Sequence, residues 1–174
     1  MNDSILKTLG VALGICLICS LIVSFSAVSL RDMQKENKLN DMRIKILQAA
    51  NIYKVDQDVA SQFSQLEMKF IDFTSGKIIE KYKNFDIETY DQIAVTRDPT
   101  LSTQIPPSKD IAIVKNRENV GKFYILRNSD LSIDKLILPI RGYGLWGTLY
   151  GYISIEEDFN TVAGLEFYDH KETP

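Results

Sequence analysis

Glycine and bulky apolar side chains alternate along residues 141–152, which read RGYGLWGTLYGY. Glycine lets a backbone come close to a flat ligand or to another chain, and side chains such as Leu145 and Trp146 then supply apolar walls. That combination suits a planar cofactor. A glycine-rich β-turn around a core tryptophan explains the pattern equally well, so the residues alone leave both interpretations open. The glycines concerned are Gly142, Gly144, Gly147 and Gly151.

No catalytic set accompanies this stretch. His170 is the only histidine, so a histidine cluster for a metal is excluded. Three consecutive acids, Glu156, Glu157 and Asp158, fall in a predicted turn, where solvated carboxylates are the ordinary finding. The glycine spacing is not a phosphate-cradling fingerprint either, because no βαβ pattern surrounds it. We therefore predict neither catalytic residues nor a metal site.

The overall composition is that of an ordinary globular protein. The chain has 174 residues, 45% of them apolar and 25% charged, with a net charge of −3. Lysine and arginine are scattered along it, which argues against a nucleic-acid partner.

Residues 9–28 predict a membrane anchor. They form an uncharged run of 20 residues, about 30 Å of helix, which matches the hydrocarbon core of a bilayer. A cleaved signal peptide is the alternative, with SFSAVS as a weak cleavage site. Its apolar region would be shorter, roughly 7–15 residues, so we favour an uncleaved anchor.

Small side chains line this anchor. Cys16 and Cys19 lie one helical turn apart, and we interpret them as packing residues rather than a redox pair. Small residues let membrane helices approach closely, so their regular spacing favours a partner helix. The two rows are Ala12, Cys16, Ser20 and Ser24, and Gly10 and Gly14.

Helical periodicity continues past the anchor. Residues 31–51 predict a helix, and Asp56 is a candidate cap for a second one that contains Val59, Phe63, Leu66 and Phe70. The sequence TSGK at 74–77 predicts a turn before a short strand, KIIEKY. Residues 84–110 are polar and contain three prolines, so we predict a long loop with one helical turn.

The pattern changes to β-strands from Gly121. KFYILR and DKLILPI are apolar runs, TLYGYISI alternates between two faces, and VAGLEFY follows the turn EEDFNT. Helices followed by an antiparallel sheet define an α+β fold. We predict two domains: an anchor over residues 1–30 and a soluble domain over residues 31–174.

Taken together, "RGYGLWGTLYGY…DFNTVAGLEFYDHKETP" closely resembles the C subunit of the Na+-translocating NADH:quinone oxidoreductase, a bacterial respiratory family. The likeness extends through YDQIAVTRDPTLSTQIPPSKDIAIVKNRENV to the N-terminal anchor. The family of Rnf-type G subunits also contains KETP, but GLW followed by LYG favours the quinone reductase. A non-redox membrane-anchored module is the third alternative.

The resemblance implies a flavin site. Leu145 and Trp146 match the segment that packs near the isoalloxazine ring of FMN, and Glu172 and Thr173 match the segment at its polar edge. The family attaches FMN covalently to a threonine in a Ser-Gly-Ala-Thr motif, which this sequence lacks. We therefore expect a chain cut before its attachment site, with an incomplete FMN-binding domain at 31–174, and inactive on its own.

The same resemblance implies the biological setting. A member of this family passes electrons through FMN during NADH oxidation, which is coupled to ubiquinone reduction and sodium export. Its partners are the other membrane subunits and the lipid bilayer. The resemblance places it in the bacterial inner membrane with its soluble domain in the periplasm, although the lysines and arginines that follow the anchor favour the opposite orientation.

Overall fold

The computed structural model describes residues 5–172, without the side chain of Leu6. These residues form three helices and eight strands. In chain order they are α1 (Ile5–Ala49), α2 (Val59–Phe63), β1 (Leu66–Asp72), β2 (Lys77–Ile79), α3 (Gln92–Val95), β3 (Ser102–Gln104), β4 (Asn116–Glu118), β5 (Val120–Arg127), β6 (Ile133–Tyr143), β7 (Thr148–Glu156) and β8 (Val162–Asp169).

Helix α1 is continuous over 45 residues, which confirms that the helix predicted after the anchor prolongs it. Among the described residues, α1 is the one helix long and apolar enough to cross a membrane. The chain forms two compact units, Met1–Leu39 and Asn40–Pro174. The last ten residues of α1 therefore belong to the same unit as the sheet.

Asn51 ends the helix. Its φ of 58° is left-handed, a conformation that asparagine tolerates better than most residues. The amide N–H of Ile52 donates to the Leu47 carbonyl (3.0 Å) and that of Asn51 to the Gln48 carbonyl (2.9 Å). This pair of bonds is a Schellman motif, which satisfies carbonyls that a helix end leaves unpaired. The Asn51 amide also donates to the Ala163 carbonyl at 2.7 Å, so the helix stop is tied to β8.

The main sheet has six strands in the order β2-β1-β5-β6-β7-β8. Every neighbouring pair is antiparallel, which confirms the α+β prediction. The longest ladder joins β6 to β7, from Lys135 opposite Glu156 to Tyr143 opposite Thr148. Strands β3 and β4 form a separate two-stranded sheet.

The core lies on one face of the main sheet. Tyr124, Ile137 and Tyr152 point to this face from β5, β6 and β7 and are buried. The last turns of α1 cover them with Ile46 and Leu47. A second cluster extends the same face towards α3. Its buried members are Phe70, Tyr90, Val95, Leu101 and Val120.

The second helix is shorter than its periodicity predicted. Helix α2 spans only Val59–Phe63, and Leu66 and Phe70 lie in β1 instead. A spacing of four residues places two side chains on one face of either a helix or a strand, so that pair could not distinguish the two. The cap is also Asp58 rather than Asp56, because the Asp58 carboxylate accepts from the Ser61 N–H at 2.8 Å.

The turn before β2 is confirmed, but the strand predicted over residues 77–82 is shorter, Lys77–Ile79. Residues 73–76 form the turn, in which Gly76 has a φ of 67°, and the Asp72 carboxylate accepts from the Thr74 N–H at 2.8 Å. The single helical turn expected within residues 84–110 is α3, but the predicted loop is wrong at residues 102–104, which form strand β3 and pair with β4.

Gly164 permits the closest approach between α1 and the sheet. A Cβ at this position would collide with the Ala49 carbonyl oxygen, and the Ala49 carbonyl carbon would lie only 3.2 Å away. On either side, Lys45 pairs with Glu166 at 3.0 Å and Asn51 bonds to Ala163. The helix end can therefore lie directly on the backbone of β8.

We predict that Gly164→Ala destabilises the unit that contains the sheet by about 1–3 kcal/mol, because backbone atoms cannot yield as a flexible side chain would. Thermal unfolding of the full chain in detergent, followed by circular dichroism, measures the effect. Gly142→Ala is the matched control, since its Cβ would make only ordinary contacts at 3.7 Å or more. Equal melting temperatures for both variants would refute the steric role of Gly164.

Burial of tyrosines makes stability fall at high pH. Removal from water raises the pKa of Tyr124 and Tyr152 well above the usual value, and that of Tyr168 to about 12. The unfolded chain loses these protons near pH 10 while the folded chain keeps them, so stability decreases as pH rises from there. Burial lowers the pKa of Lys122, which acts in the opposite direction. The increase in stability due to Lys122 is complete above pH ~10.4, because the lysine of the unfolded chain has also lost its proton there.

We therefore predict an alkaline loss of stability above pH ~10.5 that Tyr152→Phe makes shallower, by up to about 1.4 kcal/mol per pH unit. Urea unfolding at a series of alkaline pH values measures the slope. Tyr143→Phe serves as control because Tyr143 is exposed at the end of β6. An unchanged slope in Tyr152→Phe would contradict the assignment.

Candidate functional site

The glycine-rich stretch folds as the β6–β7 hairpin. Strand β6 ends at Tyr143 and β7 begins at Thr148, with the Gly144 N–H donating to the Gly147 carbonyl at 2.7 Å across the turn. Leu145 and Trp146 form the tip, and their side chains are 78% and 64% exposed. Among the described residues Trp146 is therefore exposed, unlike the buried tryptophan of the alternative interpretation.

A carboxylate from the end of the described chain lies against this hairpin. Oε1 of Glu172 accepts a hydrogen bond from the backbone N–H of Trp146 at 3.1 Å. A Cβ on Gly144 would collide with the same carboxylate and with the Leu149 side chain. Glycine at 144 therefore leaves space for the ends of the Glu172 and Leu149 side chains, which are flexible and could move aside for a Cβ.

Three of the four residues predicted to bind the flavin come together. Glu172 contacts the backbone of Trp146, and Leu145 is its neighbour at the tip. The fourth, Thr173, lies outside the described residues. The Lys171 side chain also approaches the hairpin, since a Cβ on Gly147 would lie 3.0 Å from it. Strand β8 makes this arrangement possible by pairing with β7 and returning the chain to the hairpin end.

A loop that sequence reasoning did not assign to the site holds the base of the hairpin. The Tyr143 N–H donates to the Ala112 carbonyl at 2.8 Å. One residue earlier, Gly142 faces Ala112, and a Cβ on Gly142 would lie 3.7 Å from the Ala112 Cβ. Ala112 lies in a short apolar run, residues 111–114, and the contact joins it to a strand 31 residues further along the chain, so local pattern carries no signal of it.

A largely buried ion pair fixes the same corner of the fold. Arg141 on β6 donates to the Glu118 carboxylate at 2.7 Å and to the Asn116 carbonyl at 2.9 Å. Gln92 on α3 donates to the other Glu118 oxygen at 3.2 Å. Because removing one partner of such a pair leaves a buried charge, β4, β6 and α3 are held together at this point.

The hairpin tip combines exposed apolar side chains with one hydrogen-bond acceptor. No group of three potential metal-ligating side chains occurs among residues 5–172. Leu145 and Trp146 present exposed apolar surface, and the Glu172 carboxylate beside them is a hydrogen-bond acceptor. Apolar walls with a few convergent polar groups are typical of cofactor sites. The Ser-Gly-Ala-Thr sequence that would anchor the phosphate does not occur in the chain.

Comparison with known proteins gives close relatives. The chain is 41% identical to the C subunit of the Na(+)-translocating NADH-quinone reductase of Vibrio vulnificus over 174 residues, which cover 99% of this chain and 66% of the relative. It is 40% identical to the same subunit of Vibrio campbellii, of which it covers 67%, and 40% identical to that of Pseudomonas aeruginosa, of which it covers 66%. No family model matches the chain.

Solved structures agree with these relatives. The crystal structure of Shewanella oneidensis NqrC superimposes with a TM-score of 0.67 at 27% identity, covering 80% of this chain and 63% of that one. The crystal structure of the same subunit from Parabacteroides distasonis gives a TM-score of 0.58 at 26% identity, covering 83% and 60%.

The fold and the candidate site define a membrane-anchored α+β protein with an apolar hairpin tip and a carboxylate beside it. The chain spans about two thirds of the length of the curated relatives that it matches. It belongs to the NqrC family, the C subunits of the Na+-translocating NADH-quinone reductase. This membership favours the quinone reductase over the family of Rnf-type G subunits.

The Glu172 contact leads to a spectroscopic prediction, because Trp146 is the only tryptophan. Glu172→Ala removes the acceptor of the Trp146 N–H, so we expect a more mobile hairpin tip and a lower fluorescence anisotropy. Glu157→Ala, an acid in the β7–β8 turn, should leave the anisotropy unchanged, and Glu172→Gln should largely preserve it. Identical anisotropy in all four proteins would contradict the contact.

Proposed function

We propose that this chain is an electron-transfer subunit of a sodium-translocating NADH:quinone reductase and that its β6–β7 hairpin binds the isoalloxazine ring of FMN. The observation that carries the proposal is the bond from the Trp146 N–H to Glu172. It joins two segments 26 residues apart, and both are segments for which the resemblance implies flavin contact. An apolar tip and an acceptor are thereby placed side by side.

Bound FMN would supply one-electron redox chemistry, and the protein residues would position it and exclude water. The exposed side chains of Leu145 and Trp146 would cover part of one ring face. Glu172 uses Oε1 for the Trp146 N–H, and a carboxylate has further lone pairs. It could therefore accept a second hydrogen bond from an N–H at the polar edge of the ring and orient it.

The assembly and membrane orientation are also parts of the proposal. Helix α1 would anchor the chain in the bacterial inner membrane, with the soluble unit on the periplasmic side despite the basic residues after the anchor, because long domains translocate largely regardless of charge. The small side chains of the anchor, such as Ser20 and Ser24, are exposed in the isolated chain and would let a helix of another membrane protein of the complex approach.

Flavin titration of the full chain in detergent tests the site. We expect FMN to bind reversibly, with a rise in its fluorescence anisotropy, and Trp146→Ala to weaken this binding by about tenfold, a loss typical of a central aromatic contact. Phe159→Ala is the control, because Phe159 is an exposed aromatic residue in the β7–β8 turn. The bound flavin should be released on denaturing gels, since the attachment sequence is absent. Equal affinity in both variants would refute the site.

A further inference from the structure

Two isoleucines near the β6–β7 hairpin expose their side chains to solvent. Ile111 is 96% exposed and Ile113 is 56% exposed. Isoleucine is among the residue types most often buried, so two exposed together within three positions are unusual. Ala112 lies between them and bonds to Tyr143 at the base of the hairpin.

The loop that carries these isoleucines is held in place. The Asp110 carboxylate accepts from the Val114 N–H at 2.9 Å and from the Lys115 N–H at 2.7 Å. The Ile113 N–H donates to the Asp110 carbonyl at 3.3 Å, and the Asn116 N–H to the Val114 carbonyl at 2.8 Å. The exposed side chains therefore stand on a rigid turn that the protein itself stabilises.

The same loop stores backbone strain. Ile113 has a φ of 53° and Lys115 a φ of 66°. A left-handed conformation is a true outlier for a β-branched residue, and such positions cost about 1–3 kcal/mol each. Strain of this kind persists where the surroundings over-determine it, and it clusters at ligand-binding sites.

We propose that Ile111 and Ile113 form a second apolar wall of the flavin site, opposite Leu145 and Trp146. This inference rests on the proposed function. The Tyr143–Ala112 bond joins the isoleucine loop to the base of the hairpin, and both segments carry exposed apolar side chains. Hydrophobic stabilisation grows with the apolar area removed from water, so a ring held between two apolar segments would bind more tightly than one held against the hairpin tip alone.

Riboflavin is the probe, because it has the ring without the phosphate. We compare its dissociation constant for the full chain in detergent with those for Ile111→Ser and Ile113→Asn, measured by flavin fluorescence anisotropy. We expect each substitution to weaken binding three- to tenfold. Asparagine tolerates a positive φ better than isoleucine does, so Ile113→Asn should bind flavin more weakly while its melting temperature is equal or higher. A merely structural role does not give that combination.

Leu131→Asn is the matched control. Leu131 is 74% exposed with a φ of 68°, but it lies in the turn between β5 and β6. It should gain stability in the same way and keep the affinity of the unsubstituted chain.

The outcomes separate this inference from the proposed function. If Trp146→Ala weakens riboflavin binding and neither isoleucine variant does, the second wall is wrong and the proposed site stands. If the unsubstituted chain binds no riboflavin, both proposals fail. Both also fail if Trp146→Ala and the two isoleucine variants all bind riboflavin as tightly as the unsubstituted chain does. A change in oligomeric state at unaltered flavin affinity would overturn the inference in favour of a protein interface.

Discussion

The contact between the last turn of α1 and the backbone of β8 at Gly164 is the constraint on which the domain depends. Only a residue without a Cβ fits beneath the Ala49 carbonyl. This close approach lets Ile46 and Leu47 reach the buried tyrosines of the sheet. The Lys45–Glu166 pair and the Asn51–Ala163 bond then fix the helix on both sides of the contact. Burial of the apolar helix end supplies the stabilisation, and the two polar contacts specify its position.

The geometry of the candidate site follows from strand register. Nine consecutive residue pairs join β6 to β7, which sets Tyr143 opposite Thr148 and leaves four residues for the tip. Pairing of β8 with β7 brings Lys171 and Glu172 back to that tip. A one-residue slip would turn every side chain of a strand to the other face, so the buried core specifies the site as well.

Much of this architecture was predictable because periodicity reports burial. The turn at Gly76 and the continuation of the anchor helix follow from local pattern. In β7, by contrast, the buried face carries Tyr152 and Ser154, and the isoleucines of the other face are only half-buried. Leu66 and Phe70 were assigned wrongly, since their spacing satisfies both periods. Exposure of Trp146 and the Glu172 contact were not predictable, because both depend on strands that meet only in the fold. The left-handed Ile113 runs against its own propensity, so no local rule could have indicated it.

The pairing of Lys45 with Glu166 joins residues 121 positions apart, and this separation bears on how the protein acquires its structure. Contacts between distant residues form slowly, because the loop between them must first lose entropy. The strands β5 to β8 are sequential neighbours and can pair as local hairpins. During synthesis from the N-terminus, the apolar end of α1 leaves the ribosome well before the strand that covers it. Until Gly164 has been synthesised, that end of the helix therefore stays exposed in the nascent chain and is accessible to chaperones.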